Sequence, residues 1–293
     1  MKPAPFDYHA PASLAEALAL KAQHGDDAKF LAGGQSLIPA MNFRVAQPAC
    51  LLDLNGLPDL AFIRPEAGEL RLGALTRQRA VERSPLVKDH APLLHETMPH
   101  IAHPQIRNRG TLGGSLAHAD PAAELPVIAV ALEARLRAQS MRGERWIAAG
   151  EFFVSLFTTA LAPDELLVEI ALPALPPRTG TAFLEAARRH GDYAMLGVAA
   201  VVTLDEAGRC ERARLVFLNA GEGPVEARQA AGQLAGQALT PAAAEAAAAH
   251  AAGHEINPLG GVHASPEYQR HLARVLGRRA LLLAAQRAPG GAA

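Results

Sequence analysis

The chain begins with a pattern of apolar positions that predicts a helix and then two short strands around a glycine turn. Ser13 and Glu16 form a capping box that starts the helix, and Gly25 is a natural stop for it. The elements that follow are predicted as a strand, a short helix and a second strand, at 28–32, 36–42 and 50–54. The pattern therefore predicts a small α/β unit with Gly33-Gly34 at its centre.

Beyond residue 60 the pattern changes to a hairpin, a group of helices and a second set of strands. The predicted strands lie at 62–63, 70–72, 135–140, 165–171, 181–188, 194–204 and 211–219. The predicted helices lie at 76–83, 86–98, 122–132, 226–235, 241–252 and 266–286. The Pro-rich stretch PALPP at 173–177 is typical of a linker. After it, strands are followed by helices, an order that indicates an α+β unit.

Charge and cysteine content exclude several classes of function. The 28 basic and 29 acidic side chains nearly cancel, so no electrostatic footprint for nucleic acid or an anionic membrane is expected. Two cysteines, Cys50 and Cys210, are too few for an iron–sulfur cluster, and no zinc-type spacing is present. The start of the chain lacks an apolar signal region, and no apolar run is long enough for a transmembrane segment. These features predict a cytoplasmic protein whose metal chemistry, if any, belongs to another chain.

Two similar glycine segments are the most informative local feature. We call residues 32–36 (AGGQS) the first glycine segment and residues 111–115 (TLGGS) the second. Paired glycines allow backbone N–H groups to point into one concavity, which suits a phosphate group. Neither segment contains Lys or Arg, which fits a dinucleotide held by backbone donors better than a phosphate that is transferred. Spacing alone does not decide between such a site and two structural turns.

Other motifs give no alternative chemistry. The sequence has neither a G-x-G-x-x-G fingerprint nor a P-loop. The run from Gly113 to Ala117 resembles a nucleophile elbow but has Ala in place of the final glycine. His118 and Asp120 lie two residues apart in a segment that more often supports a turn than a metal. No catalytic residue and no metal ligand are therefore assigned to this chain.

Three longer segments resemble one known family. They are AGGQSLIPAMNFR at 32–44, HPQIRNRGTLGGSLAHADPAAELP at 103–126 and RRHGDYAMLGVAA at 188–200. Together, and in this order, they resemble the medium, FAD-binding subunit of carbon monoxide dehydrogenase-type molybdenum hydroxylases, in the xanthine dehydrogenase superfamily. The resemblance extends from the first helix to the last.

The resemblance implies an α+β fold with two domains. The first is a para-cresol methylhydroxylase-type FAD-binding domain at 1–175, made of two α/β subdomains at about 1–56 and 57–175. The second, at 178–288, is an antiparallel sheet with helices. FAD would lie extended between them.

The resemblance also implies a set of cofactor contacts. The first glycine segment would hold the FAD pyrophosphate by its N–H groups, and the second would close the other side. Ile101 would pack near the adenine or ribityl portion, Glu124 would hydrogen-bond the sugar portion, and Leu167 would offer a backbone contact. Tyr193 would cover one face of the isoalloxazine ring. The implied FAD contacts are Ala32, Gly33, Gly34, Gln35, Ser36, Ile101, Thr111, Leu112, Gly113, Gly114, Ser115, Glu124, Leu167 and Tyr193.

The implied function is an electron relay within a larger complex. A large partner subunit would hold a molybdenum-pterin cofactor, and a small one would hold two [2Fe–2S] clusters, in a dimer of heterotrimers. Electrons would pass through non-covalently bound FAD to an external acceptor. Relatives often carry Lys near 184–185, whereas this chain has Leu184 and Glu185, so its flavin potential or acceptor is expected to differ.

Two other functions fit the same sequence. One is a stand-alone FAD-dependent oxidoreductase, which would need a substrate pocket over the flavin and activity without partners. The other is an assembly protein that keeps the fold but binds no cofactor, against which the two glycine segments and Tyr193 argue. The substrate of the complex is not encoded in this chain, because another subunit would select it.

Overall fold

The computed structural model describes residues 1–289, which form three units of mixed helix and sheet. The first unit is a three-stranded parallel sheet in the order β1-β3-β2, with one helix packed on it and one after the glycine turn. Its elements are β1 (Asp7–His9), α1 (Leu14–His24), β2 (Ala28–Leu31), α2 (Leu37–Asn42) and β3 (Cys50–Asp53). One half of the predicted capping box is present, since Ser13 Oγ accepts from the Glu16 N–H at 3.2 Å, while the Glu16 carboxylate accepts from the N–H of Ala12, one residue before the N-cap.

The second unit is a five-stranded antiparallel sheet in the order β4-β5-β10-β6-β7, with helices on it. Its strands are β4 (Ile63–Glu66), β5 (Glu69–Gly73), β6 (Arg135–Ser140), β7 (Gly143–Ala148) and β10 (Leu166–Pro173), and a small separate ribbon is formed by β8 (Phe153–Ser155) and β9 (Thr158–Thr159). Its helices are α3 (Gln78–Arg83), α4 (Pro85–His90), α5 (Pro92–Thr97), α6 (Pro104–Arg107), α7 (Leu112–His118), α8 (Glu124–Ala131) and α9 (Ala149–Phe152).

The third unit is a four-stranded antiparallel sheet in the order β11-β12-β13-β14, covered by helices. Its elements are β11 (Thr179–Ala186), β12 (Leu196–Leu204), β13 (Cys210–Leu218), β14 (Val225–Glu226), α10 (Arg228–Gly232), α11 (Pro241–His250) and α12 (Pro266–Arg287). All nine residues of β12 are buried. One face packs into the core shared with α8 and the other into the core under α12, so the strand lacks the alternation of a half-exposed strand.

The predicted α+β fold class is confirmed, and the differences from prediction are local. The helix expected at 86–98 is two helices, because Pro92 cannot continue the hydrogen-bond ladder of α4. The helix expected at 226–235 is shortened to Arg228–Gly232, and its later start follows from the pairing of β14 with β13. The helix α7 was not predicted, because its two glycines disfavour helix in isolation. Across the described part of the chain, every helix is either too short or too polar to span a lipid bilayer.

Candidate functional site

A cleft of about 710 Å³ lies where the three units meet. Its walls come from four stretches of chain that are far apart in sequence, mainly 32–37, 110–120, 157–167 and 191–193. The volume is within the range of small-molecule and cofactor sites. The two glycine segments, one from the first unit and one from the second, therefore border a single cavity.

The first glycine segment supplies free backbone donors to this cleft. Gly34 adopts a φ of +72°, which lets the chain turn from β2 into α2. Within the described residues, the N–H groups of residues 33–36 donate to no protein acceptor. The N–H of Ile38, at the start of α2, donates to the Gly34 carbonyl at 3.1 Å. Four successive unpaired donors in the wall of a cavity are suited to the oxygens of a phosphate or pyrophosphate.

The close approach of the two segments depends on Gly33. A Cβ atom at this position would lie 2.5 Å from the Arg109 carbonyl oxygen and 2.8 Å from the Gly110 Cα. Both neighbours are backbone atoms, so no side-chain rotation could relieve the overlap. Gly33 therefore sets the distance between the first glycine segment and the chain that leads into the second.

The second glycine segment differs from the prediction in how its N–H groups are used. The Leu112 N–H donates to the Thr76 carbonyl at 3.0 Å and the Gly113 N–H to the Ala74 carbonyl at 2.8 Å. The Gly114 N–H donates to Thr111 Oγ1, which caps α7. The prediction that these glycines present free N–H donors to a phosphate is therefore wrong for the second segment. Gly113 is required by packing instead, because a Cβ there would lie 2.5 Å from the Ala74 Cβ.

The structure brings thirteen of the fourteen predicted contact residues to the cleft. The exception is Leu112, which is 4% exposed and packs in the main core rather than in the cavity wall. That the other thirteen contact FAD stays a prediction. The residues that line the cleft are Ala32, Gly33, Gly34, Gln35, Ser36, Ile101, Thr111, Gly113, Gly114, Ser115, Glu124, Leu167 and Tyr193.

Sequence reasoning missed part of the cleft wall. Residues 157–159 line it from the β8–β9 ribbon, and Lys21 and Lys29 line it at the first unit. His118 and Asp120, considered only as possible metal ligands, also line it, and the His118 ring packs on Phe157 at 5.2 Å between centroids. The ribbon has no motif, so nothing in its sequence indicated a place in the site.

A cluster of acids and one histidine borders the cleft near the third unit. Burial raises the pKa of Glu124, the first residue of α8, to about 7, and the nearby charge of Glu185 adds to the effect. Glu185 Oε1 lies 3.1 Å from His100 Nδ1, and this hydrogen bond raises the pKa of the histidine. Of this cluster only Glu124 lines the cavity; Glu185 pairs with His100 just outside its wall and affects the cleft by raising the pKa of Glu124.

We expect Glu124→Gln to stabilise the chain at alkaline pH. The folded-state pKa of Glu124 is raised, so this group increasingly destabilises the folded state as the pH rises from about 4.5 to about 7. At 1.36 kcal/mol per pKa unit and with some relaxation, the variant should be about 2 kcal/mol more stable than wild type at pH 8. At pH 4.5 the two flavin-free proteins should differ much less in urea unfolding.

A matched control for this experiment is Glu206→Gln, which neutralises an exposed acid. It should leave the pH dependence of unfolding unchanged. Parallel pH profiles for wild type and Glu124→Gln would show that Glu124 is not held in its protonated form by burial.

The sequence and the fold match known proteins over nearly the whole chain. Residues 4–175 match the profile of the FAD binding domain in molybdopterin dehydrogenase, and residues 181–284 match that of the CO dehydrogenase flavoprotein C-terminal domain. The 6-hydroxypseudooxynicotine dehydrogenase complex subunit alpha of Paenarthrobacter nicotinovorans is 48% identical, over 98% of this chain and 97% of the relative. The carbon monoxide dehydrogenase medium chain of Afipia carboxidovorans is 38% identical over 98% and 99%.

Solved structures agree with these sequence matches. Carbon monoxide dehydrogenase from Hydrogenophaga pseudoflava superposes with a TM-score of 0.95 at 38% identity, covering 98% of this chain and 100% of the matched one. Quinoline 2-oxidoreductase from Pseudomonas putida 86 superposes with a TM-score of 0.92 at 37% identity, covering 98% and 99%. As its three sequence motifs predicted, the chain belongs to the family of FAD-binding medium subunits of molybdenum hydroxylases, which are oxidoreductase complexes.

Proposed function

We propose that this chain binds FAD non-covalently in the cleft between its three units. The observation that carries the proposal is the row of four unpaired N–H groups at residues 33–36, in the wall of a cavity of about 710 Å³. Such donors fit the pyrophosphate, with the hydroxyls of Ser36, Thr111 and Ser115 nearby as further partners. The proposed domain bounds remain 1–175 for FAD binding and 178–288 for the C-terminal domain.

The residues around this row suit the remaining parts of the cofactor. Ile101 offers an apolar surface, and Glu124 a buried carboxyl group for a sugar hydroxyl. In β10 the register shifts between Leu167, which pairs with Ala138, and Glu169, so the ladder is irregular next to the proposed backbone contact at Leu167. The side chain of Tyr193 is 71% exposed at the cleft, so its ring is free to cover a planar ligand.

The position of the Tyr193 segment depends on contact between the second and third units. A Cβ atom at Gly191, whose φ is +88°, would lie 2.6 Å from His103 Nδ1 and 3.0 Å from the Ala102 carbonyl oxygen. The segment before Tyr193 thus lies against the chain that carries Ile101. These contacts hold the backbone just before Tyr193 at the edge of the cleft.

The function that we propose is electron transfer between partner subunits and an external acceptor. FAD supplies the redox chemistry, since it exchanges electrons singly or in pairs. The protein positions it and shields it, and Glu124, with a pKa of about 7, can hold or release a proton beside the cleft near neutral pH.

The partners belong to the same proposal. This chain has only two cysteines, too few for [2Fe–2S] clusters, so we place two such clusters in a small subunit and the molybdenum-pterin cofactor in a large one. Relatives are named as medium chains and as a complex subunit, in agreement with a multi-subunit assembly. We propose a dimer of heterotrimers in the cytoplasm.

The test is to purify the chain alone and co-expressed with its genomic neighbours, and to record visible spectra. We expect one acid-released FAD per chain, with iron–sulfur absorbance only when partners co-purify. A chain that stays colourless with added FAD and with partners would support a cofactor-free assembly protein instead. Turnover by the lone FAD-bound chain would support a stand-alone oxidoreductase.

A further inference from the structure

Three metal-binding side chains lie together in the first unit, outside the walls of the cleft. They are His9, His24 and Cys50, and one ligand atom from each lies within 4.8 Å of the other two. The two imidazole rings have their centroids 5.5 Å apart. Cys50 carries a free thiol and is 2% exposed, whereas both histidines are partly exposed. None of the three lines the cavity proposed for FAD.

The topology of the parallel sheet brings these residues together. Asp7 pairs with Cys50 and His9 with Leu52, so Asp7, His9 and Cys50 lie on one face of the sheet, where side chains alternate with period two. The helix α1 packs on β3, and its last residue is His24. One ligand thus comes from each of three elements, separated by 15 and 26 residues in sequence.

The net effect of the surroundings is to raise the pKa of the Cys50 thiol, so metal binding must displace its proton. Burial raises the pKa of the Cys50 thiol and the neighbouring Asp7 carboxylate raises it further, while the Lys21 ammonium lowers it. Lys21 donates to the carbonyls of Gly25 at 2.6 Å and Ala28 at 2.7 Å, so its charge is partly neutralised by backbone. The Asp7 carboxylate and the carbonyl end of α1 both favour a cation beside His24.

We propose that His9, His24 and Cys50 form a binding site for a borderline-soft transition-metal ion such as Zn²⁺. One thiolate and two neutral imidazoles are a ligand set that zinc favours. Zinc–sulfur and zinc–nitrogen bonds place tetrahedral ligand atoms about 3.5 Å apart, and torsions of the two partly exposed histidines can close the difference from 4.8 Å. The fourth position is open to water.

Binding at this site would release one proton, from the Cys50 thiol to solvent, and would cross-link β1, β3 and the end of α1. Its expected role is to fix the first unit, whose sheet has only three short strands. No redox step at the metal is involved. The site is independent of the flavin, so its test needs no enzymatic activity.

The experiment is titration of the tag-free, full-length chain with Zn²⁺ by equilibrium dialysis and with Co²⁺ by difference absorption spectroscopy. We expect one ion per chain and a thiolate-to-cobalt charge-transfer band in the near ultraviolet. Loss of a residue that only supports a metal ligand weakens metal affinity by about 10- to 100-fold. Loss of a ligand itself should cost more, so His9→Gln and His24→Gln should each weaken binding by at least about 100-fold. Cys50→Ser should abolish the charge-transfer band.

Matched controls come from the same chain. Cys210→Ser removes the other buried thiol, and His254→Gln alters a second histidine pair, His250–His254, which has its ring centroids 4.9 Å apart and belongs to no metal-ligand cluster within residues 1–289. Both variants should bind as wild type does. Binding no tighter in wild type than in the histidine variants, or a charge-transfer band that persists in Cys50→Ser, would overturn the proposal. Cys50 is buried, so Cys50→Ser can lower stability. His9 and His24 are partly exposed, so their variants should fold and still test the site.

Discussion

Gly33→Ala is expected to lower FAD affinity about 100-fold, because it displaces the free donors of the first glycine segment by roughly 1 Å. The new Cβ atom would lie 2.5 Å from the Arg109 carbonyl oxygen and 2.8 Å from the Gly110 Cα. Backbone must move to restore normal contact distances, and such overpacking costs about 1–3 kcal/mol of stability. The measurements are FAD content after gel filtration and the dissociation constant from quenching of flavin fluorescence.

The control for this prediction is Gly232→Ala. A Cβ atom at Gly232, in α10, has no heavy atom within 4 Å, and alanine is the better helix former by about 0.5–1 kcal/mol. This variant should bind FAD as wild type does and be no less stable. If Gly33→Ala retained wild-type affinity, the two glycine segments could not hold the pyrophosphate between them as proposed.

Arg107→Met is expected to destabilise the chain by about 3–5 kcal/mol, the usual cost of removing one partner of a buried ion pair. Arg107 is 4% exposed, and its guanidinium donates to both oxygens of Glu82, at 2.9 and 3.2 Å. It also donates to the carbonyls of Ile101 at 2.8 Å and Ala102 at 3.2 Å. Methionine has a side chain of similar length but leaves these acceptors without a donor. Urea unfolding of the two proteins measures the loss of stability.

The same substitution should weaken FAD binding, because the Ile101 and Ala102 carbonyls belong to a segment that lines the cleft. The contrast is Arg64→Met, which breaks an ion pair of 2.9 Å with Glu66 in which both side chains are about half exposed. Its expected cost is about 1 kcal/mol or less. Equal effects of the two substitutions would mean that the Arg107 network does not stabilise the fold.

The acid side of the stability profile gives an independent view of this network. Burial alone would raise the pKa of Glu82, but hydrogen bonds from Arg107 and Arg79 hold it below its usual value. A depressed carboxyl pKa contributes stability that is present above the unfolded-state pKa and is lost as the pH falls through the folded-state pKa. The difference in stability between wild type and Arg107→Met should therefore shrink in strong acid.

The elements with local signals could be predicted from the sequence, whereas those made by pairing could not. The first helix has a capping-box sequence and a glycine stop, and the last begins at a Ser-Pro pair, so both ends are encoded nearby. The strand β1 is three residues, DYH, with no apolar pattern, and exists because β3 offers it a parallel partner about 43 residues away. Its pairing is what places His9 beside Cys50.

For the site, the sequence by itself determined the family, the fold class and the place of the first glycine segment, because linked motifs and a glycine turn depend on local residues. Only the tertiary structure decided how the second segment is used. Its glycines allow α7 to pack on Ala74, and Leu112 turns into the core, because the chain that follows β5 sets both positions. The histidine–cysteine cluster and the Glu185–His100 pair likewise join residues far apart in the chain. The cluster forms by packing within the first unit and the pair by packing between the second and third units, and no local pattern of residues encodes either.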